Sequence, residues 1–159
     1  MRMIWDGHED DYFRKPAITD SELEKAEKKF GIKLPQEYKD LLKIQNGGTL
    51  KYTAIPTSFT TLHSEENMVI IEFLYGLHED EGIYDSAYLL EEWGITDWCT
   101  ETDKLFMISG DGHWWLVLDY RESEEPKIAF IDVDDERIER VAGSFKELVE
   151  KLQEEPDTF

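Results

Sequence analysis

LFMISGDGHWWLVLDYR, residues 105–121, is the stretch that decides the fold. Apolar residues predominate both before and after the GDG at residues 110–112. The glycines there allow positive φ without steric cost, as a tight turn requires. The pattern predicts two strands, residues 104–109 and 113–120, that pair as an antiparallel hairpin. A third strand, residues 127–133, follows after a short charged turn and should pair beside the second.

Two helices are predicted before these strands and one after them. Thr19-Asp20-Ser21-Glu22 is a capping box with Thr19 as the N-cap, and Gly31 ends the first helix. Pro35 begins the second helix, because proline is tolerated at the first helical position, where its missing N–H costs nothing. Ser144 caps a last helix over residues 145–152.

The middle of the chain is less regular. Residues 50–57 and 68–75 are predicted strands, and the second is so nearly continuous in apolar residues that it should be buried on both faces. Residues 85–93 predict a short helix. The order of these elements predicts an α+β fold, with a central, mainly antiparallel sheet flanked by two N-terminal helices and a C-terminal helix. A chain of 159 residues fits one domain, residues 1–159.

Apolar residues at helical or alternating spacing predict the core. The expected core includes Leu23, Phe30, Tyr38, Leu41, Leu42, Ile108, Leu116, Leu118, Phe130 and Phe145.

The charge of the chain excludes several classes of function. Thirty-seven Asp and Glu against 17 Lys and Arg give a formal net charge of −20. This balance offers no basic surface for nucleic-acid phosphates or anionic lipids. No apolar run is long enough to cross a bilayer, and the N-terminus is acidic where a signal peptide would be apolar. The sequence therefore predicts a soluble, cytoplasmic, acidic protein that contacts neither nucleic acid nor membrane directly.

Residues that carry catalysis or bind metals are scattered along the sequence. The four histidines form no H-x-x-x-H pair; they are His8, His63, His78 and His113. Cys99 is the single cysteine, so a disulfide and a cysteine-based zinc site are excluded. Its acidic neighbours Asp97 and Glu101 should raise its pKa, which argues against a catalytic thiolate. We therefore expect no enzyme activity, no catalytic residues, no cofactor and no metal.

Residues 132–136, DVDDE, begin like a calcium-binding loop. Arg137 stands where the sharp turn of such a loop requires glycine, and Gly143 stands where it requires glutamate. A solvated turn after a strand is the better interpretation.

Two blocks of the sequence resemble a known family. The first is ITDSELEKAEKKFGIKLPQEYKDLLKIQNGG, residues 18–48, and the second is the 105–121 block, followed by PKIAFIDVD and a closing SFKELVEKL. The ordered series helix–G-I-x-L-P–helix–N-G-G and strand–G-D-G–strand resembles the SUKH superfamily, in its Smi/Knr cell-wall-regulator-like branch, over residues 18–152.

The resemblance implies a central sheet flanked by N-terminal and C-terminal helices. For bacterial members it also implies an immunity protein, an antitoxin that binds and neutralises the toxin domain of a secreted polymorphic toxin, often a nuclease. Eukaryotic relatives imply the alternative of a non-enzymatic regulatory scaffold that recruits cellular partners. The resemblance carries over no catalytic residues.

The partner surface is expected in residues 57–103, which the family pattern does not fix. An acidic inhibitor can occupy the basic surface of a nucleic-acid-cleaving toxin as a phosphate mimic. Opposite charges on the two proteins also speed their association. Alternatively, the excess of acidic residues only keeps the protein soluble. Residues 79–103 contain many acids and aromatics and no Lys or Arg. The predicted partner-binding residues are Glu79, Asp80, Glu81, Asp85, Trp93, Asp97, Trp98, Glu101 and Asp103. Tyr88 and Trp93 could instead simply pack the short helix onto the sheet.

Overall fold

The computed structural model describes residues 2–156, which contain four α-helices and eight β-strands. The helices are α1 Asp20–Phe30, α2 Gln36–Ile44, α3 Ser86–Glu92 and α4 Phe145–Lys151. The strands are β1 Gly48–Thr49, β2 Ala54–Pro56, β3 Met68–Ile70, β4 Phe73–Leu74, β5 Leu105–Gly110, β6 Trp114–Asp119, β7 Lys127–Asp132 and β8 Arg137–Ala142. The predicted α+β class is confirmed.

The central sheet contains four strands in the order β5-β6-β7-β8, with every neighbouring pair antiparallel. Leu116 on β6 lies opposite Phe130 on β7, and Ile131 on β7 lies opposite Ile138 on β8. A register shift between Met107 and Ser109 marks a bulge in β5. The three predicted strands therefore pair consecutively, as the short turns between them require.

The two faces of this sheet are covered by different elements. Side chains alternate between faces along a strand, so Phe106, Leu116 and Phe130 enter a large core with α1, α2 and α4. Met107 and Val117 point the other way, into a smaller apolar cluster beneath α3 and its flanking turns. The central sheet is thus sandwiched between three helices on one face and an irregular layer on the other.

The predicted helix signals are confirmed with one shift. Thr19 Oγ1 accepts a hydrogen bond from Glu22 N at 3.2 Å, Ser144 Oγ accepts one from Glu147 N at 3.1 Å, and Gly31 ends α1 in the left-handed region with φ 66°. Pro35 is the N-cap of α2 rather than its first helical residue. Nine of the ten predicted core residues are buried; Phe30 is half-buried, edge-on to Phe106.

The strand prediction for the middle of the chain is wrong in detail. Residues 50–57 and 68–75 do not form two long strands, because β1 pairs with β4 and β2 pairs with β3 in separate two-stranded sheets. The second run is not buried on both faces, since Glu72 within it is exposed. A carboxylate is too costly to bury without a partner, so the run breaks at this residue.

β8 is the strand that the sequence prediction missed. Its residues, RIERVA, alternate charged and apolar side chains too weakly to be recognised as a strand. The strand forms an edge of the central sheet, where charged side chains protect the unpaired backbone from other chains. No helix in residues 2–156 is long and apolar enough to cross a membrane.

Candidate functional site

The predicted partner segment begins with a turn whose Ile83 enters the large core, and from α3 onward it forms the outer layer on the second face of the central sheet. It consists of a 3₁₀ turn at Gly82–Asp85, then α3, then 3₁₀ turns at Ile95–Asp97 and Thr102–Lys104. The buried Ser86 Oγ accepts a hydrogen bond from Met107 N at 2.8 Å and donates one to the Gly82 carbonyl at 2.9 Å. One hydroxyl therefore fixes this layer to the edge of β5.

The exposed members of the predicted set lie at separate places along this layer. Trp93 contacts the turn between β5 and β6, whereas Glu101 pairs with Lys104 at 3.0 Å just before β5 begins. The length of β5, about 17–20 Å, separates these two contacts. The other exposed members are Glu79, Asp80, Asp97 and Asp103. The structure therefore does not bring the nine residues into one patch.

Three members of the set are half-buried. The Glu81 carboxylate lies 3.4 Å from the Lys15 ammonium. Burial raises the pKa of the Asp85 carboxyl, and the negative charge of Asp80 adds to this. Trp98 packs against the small apolar cluster of the second face. Glu81 and Trp98 therefore contribute to holding the layer in place, whereas the ionised carboxylate of Asp85 does not.

Trp93 is held against the tip of the β5–β6 hairpin. Gly112 has φ 108°, and a Cβ at this position would lie 2.4 Å from an atom of the Trp93 ring. Only glycine therefore permits both this backbone conformation and this close approach. The Trp93 ring also meets the His113 ring edge-on, with 5.5 Å between centroids, while remaining 37% exposed.

Next to Trp93, the fold brings together two histidines and an aspartate. His63 Nε2 lies 2.5 Å from Asp134 Oδ2, and His113 Nδ1 lies 3.1 Å from the same oxygen. The imidazole centroids are 5.5 Å apart. Among residues 2–156, these three are the group whose ligand atoms come close enough to hold a metal ion, all within 4.8 Å of one another. We call this the His–His–Asp cluster.

Hydrogen bonds from the backbone amides of the loops to two aspartate carboxylates hold the cluster in place. The buried Asp132 carboxylate accepts hydrogen bonds from His63 N and from Asp135 N, which joins the loop at residues 58–67 to the β7–β8 turn. Asp111 Oδ1 accepts a hydrogen bond from His113 N at 2.9 Å and so shapes the β5–β6 turn. Three loops thus converge on one carboxylate, Asp134.

The electrostatics of the cluster favour a positive charge between its members. The hydrogen bond to Asp134 raises the pKa of His63, and the nearby carboxylates of Asp132 and Asp111 act in the same direction. The same hydrogen bond lowers the pKa of Asp134, as does the contact with His113. The hydrogen bond therefore favours an ionised Asp134 beside a protonated His63.

Around the cluster, the loop end of the sheet is exposed, aromatic and acidic. Leu62, the residue before His63, is 65% exposed, and the partly exposed Trp93 packs against His113. We name this region the tip surface and define it by Leu62, His63, Trp93, Asp111, His113 and Asp134.

The sequence matches the family model of the SMI1 / KNR4 family (SUKH-1) over residues 17–151. The chain belongs to this family. The match runs from the residues before α1 through α4, and it confirms the resemblance noted over residues 18–152. No curated protein matches the chain. Membership of the SUKH-1 family is consistent with a role as a toxin-immunity protein.

Sequence reasoning missed the His–His–Asp cluster of this SUKH-1 chain. Its histidines are 50 residues apart and share no helical spacing, so no motif search finds them. The position of His113 directly after the GDG turn was the available signal, since that turn places its neighbours at the loop end of the sheet. Distance along the sequence does not keep the histidines apart in the fold, because the loops bring two of them together. The expectation of no metal stays a prediction.

The environment of Cys99 also differs from the prediction. Burial is the main cause that raises the pKa of its thiol, with a smaller effect of Asp119. Arg121, which is distant in sequence, donates from Nη1 to Cys99 Sγ at 3.6 Å and opposes the rise. The predicted direction is confirmed, but the named neighbours Asp97 and Glu101 are not its cause.

A groove of about 980 Å³ lies between the end of α1 and the β6–β7 turn. Several polar groups along it already make structural contacts. Tyr120 donates a hydrogen bond to the Lys33 carbonyl at 2.7 Å, and Arg121 forms a two-bond pair with Asp119. The polar groups of Tyr120 and Arg121 in this groove are therefore engaged in contacts within the fold.

Proposed function

We propose that this SUKH-1 protein is an immunity protein that binds and neutralises a cognate toxin through a basic surface of the toxin. The family match over residues 17–151 carries this proposal. The net charge of −20 supports it, because an acidic inhibitor is complementary to the phosphate-binding surface of a nuclease toxin. The protein acts by stoichiometric binding in the cytoplasm, without catalysis.

We infer that the tip surface and the adjoining end of α3 meet the toxin. Protein interfaces combine a central aromatic anchor with a charged rim. Trp93 has the features of an anchor, being rigidly packed on Gly112 and partly exposed. Glu91 and Glu92 are exposed beside it at the end of α3, and Asp111 and Asp134 are exposed and hydrogen-bonded to His113, the residue whose ring Trp93 contacts.

The predicted acids far from Trp93 have a different role in this proposal. Electrostatic attraction is screened beyond roughly 8 Å at physiological salt. Glu101 and Asp103, at the far end of β5, are therefore not contacts of the surface that meets Trp93, and they act as steering charges only at low salt, where the screening length is longer. Glu79 and Asp80, in the turn before Gly82, belong to the same class.

Co-expression tests the function directly. The chain is expressed together with the toxin encoded by the neighbouring gene, and survival is compared with that of cells expressing the toxin alone. We expect protection, and a stable complex with equal amounts of the two proteins. Failure to protect, despite expression of folded protein, would contradict the proposal and favour the regulatory-scaffold alternative.

Charge reversal tests where the toxin binds. The double variant Glu91→Lys/Glu92→Lys should associate at least tenfold more slowly with the purified toxin domain at about 50 mM salt, and the difference should shrink at about 200 mM. Glu124→Lys/Glu125→Lys is the matched control, since it makes the same charge change at the opposite end of the sheet. Equal slowing by both variants would show that only total charge matters.

Removal of the anchor tests the contact itself. Trp93→Ala should raise the Kd at least 30-fold, which corresponds to a loss of about 2 kcal/mol at an interface hot spot. Tyr12→Ala is the control, because Tyr12 is the most exposed large apolar side chain among the described residues, at 83%, and lies in the N-terminal segment. Wild-type affinity of Trp93→Ala would remove the tip surface from the interface.

A further inference from the structure

We propose that His63, His113 and Asp134 bind one Zn²⁺ ion at the tip surface. The three side chains come from three separate loops, and the carboxylate oxygen of Asp134 already lies within 3.1 Å of a nitrogen on each ring. All three ligand atoms fall within 4.8 Å of one another. This inference does not depend on the identity of any protein partner.

The geometry fits a zinc ion after a small adjustment. Zinc bonds of about 2.0–2.2 Å to nitrogen and oxygen place neighbouring ligand atoms roughly 3.3 Å apart in a tetrahedron. His63 Nε2 must therefore move away from Asp134 Oδ2 by less than about 1 Å, and His113 Nδ1 by less still. The coordinating nitrogens of the two rings lie within 4.8 Å of each other and must come to roughly 3.3 Å, a movement of at most about 1.5 Å. The side chains of all three residues are solvent-accessible, so ring rotation can supply this movement.

The donor set selects zinc over the common hard cations. Two imidazoles with one carboxylate suit Zn²⁺ and its transition-metal neighbours, whereas Ca²⁺ and Mg²⁺ require mainly oxygen ligands. Three protein ligands leave a fourth position open to solvent, as in zinc sites that exchange their last ligand.

The surrounding charges also favour a cation. Asp111 and Asp132 bind the backbone amides of His113 and His63, and so place two more carboxylates near the cluster. Arg137 donates a hydrogen bond to the Thr60 carbonyl in the loop at residues 58–67. Its positive charge is paired with Asp135 at 3.4 Å and with Glu139 at 2.8 Å. The local charge without a metal is therefore negative.

Bound zinc would connect segments that are far apart in the sequence. The ion would join the loop at residues 58–67, the β5–β6 turn and the β7–β8 turn, and it would fix the His113 ring against which Trp93 packs. A proton shared between Asp134 and the histidines is the competing occupant, because the same geometry serves a charged hydrogen bond.

Calorimetric titration tests the site with the full chain, purified without a polyhistidine tag and treated with a chelator. We expect one equivalent of Zn²⁺ to bind at pH 7.5. The variants His63→Ala and Asp134→Asn should each weaken binding at least tenfold. His8→Ala is the matched control, because His8 forms a two-member pair with Asp6 at 2.7 Å and lacks a third ligand; it should bind zinc like the wild type.

The outcomes separate zinc from its alternatives. Titration with Co²⁺ should give the visible absorption of four-coordinate cobalt, and this absorption should disappear on addition of Zn²⁺ and be absent in His113→Ala. Circular dichroism establishes that each exposed-site variant remains folded. Binding that is unchanged in His63→Ala, lost equally in His8→Ala, or absent in the wild type would overturn the proposal and leave the proton as the occupant.

Discussion

One face of the central sheet lies beneath regular helices, and the other lies beneath a single short helix with 3₁₀ turns on both sides. The first face belongs to an apolar core of 30 buried residues, which includes side chains from α1, α2 and α4. The second face belongs to a cluster of nine buried residues beneath α3. The two clusters therefore differ about threefold in their number of buried residues.

Under the proposed function, this difference separates the residues that stabilise the fold from those that bind the toxin. Burial of apolar surface is the dominant stabilising term in folding, so the larger core defines the fold. The smaller cluster leaves its layer dependent on a few specific contacts, such as the Ser86 hydroxyl on Met107. A layer held in this way can carry exposed acids and Trp93 on its outer side while the sheet beneath it stays unchanged.

Matched leucine truncations on the two faces should show the largest effect. Leu118→Ala opens a cavity in the large core and should lower the free energy of unfolding by about 3–5 kcal/mol, whereas Leu90→Ala in the small cluster should cost about 2–3 kcal/mol. Both side chains are at most 2% exposed, so exposure does not explain the difference. Urea unfolding followed by circular dichroism measures both; a larger loss for Leu90→Ala would reverse the comparison.

A smaller effect is expected at the polar contact between layer and sheet. Ser86→Ala removes two buried hydrogen bonds and leaves the Met107 amide without its acceptor, at a cost of about 1–3 kcal/mol. Hydrogen exchange at the Met107 amide should accelerate together with that of α3. Ser123→Ala is the control, because its hydrogen bond to the Glu125 carbonyl is exposed and its loss should cost less than about 0.5 kcal/mol.

The same contrast explains which parts of the fold could be predicted from the sequence. The capping box at Thr19 and the GDG turn are local signals, and both strands of the hairpin follow from strong apolar runs. The edge strand β8 could not be recognised, because its charged residues suit an edge that only the complete sheet defines. The run around Glu72 was misread for a similar reason, since its pairing changes from β2 to β1 along the chain.

The candidate site was predicted only in part. Trp93 was identified from the mixture of acids and aromatics, but its contact with His113 depends on the close approach that Gly112 allows. The pairing of His63 with Asp134 joins residues 71 positions apart, and no periodicity carries that information. Local sequence patterns thus pointed to Trp93. The fold, which brings three loops together, places the His–His–Asp cluster beside it.

The smallest expected effect is a pH-dependent change in stability at Asp85, one of the predicted partner-binding residues. Burial and the charge of Asp80 raise the pKa of Asp85 above its ordinary value of 3.8. Ionised Asp85 therefore destabilises the folded state; the penalty is fully present above the folded pKa and vanishes as the pH falls below the unfolded pKa. Asp85→Asn should accordingly be more stable than the wild type at pH 7, and the two should converge near pH 3.

The urea midpoint at each pH measures this difference, with Asp103→Asn as the control for removing one charge from an acidic surface. Asp103 is exposed in the same layer, so its variant reports the effect of net charge without burial. Asp85→Asn should exceed this control at pH 7. A destabilised Asp85→Asn would mean that the carboxylate makes a stabilising contact within the layer, and the acids of the second face would then stabilise the fold in addition to their proposed role in toxin binding.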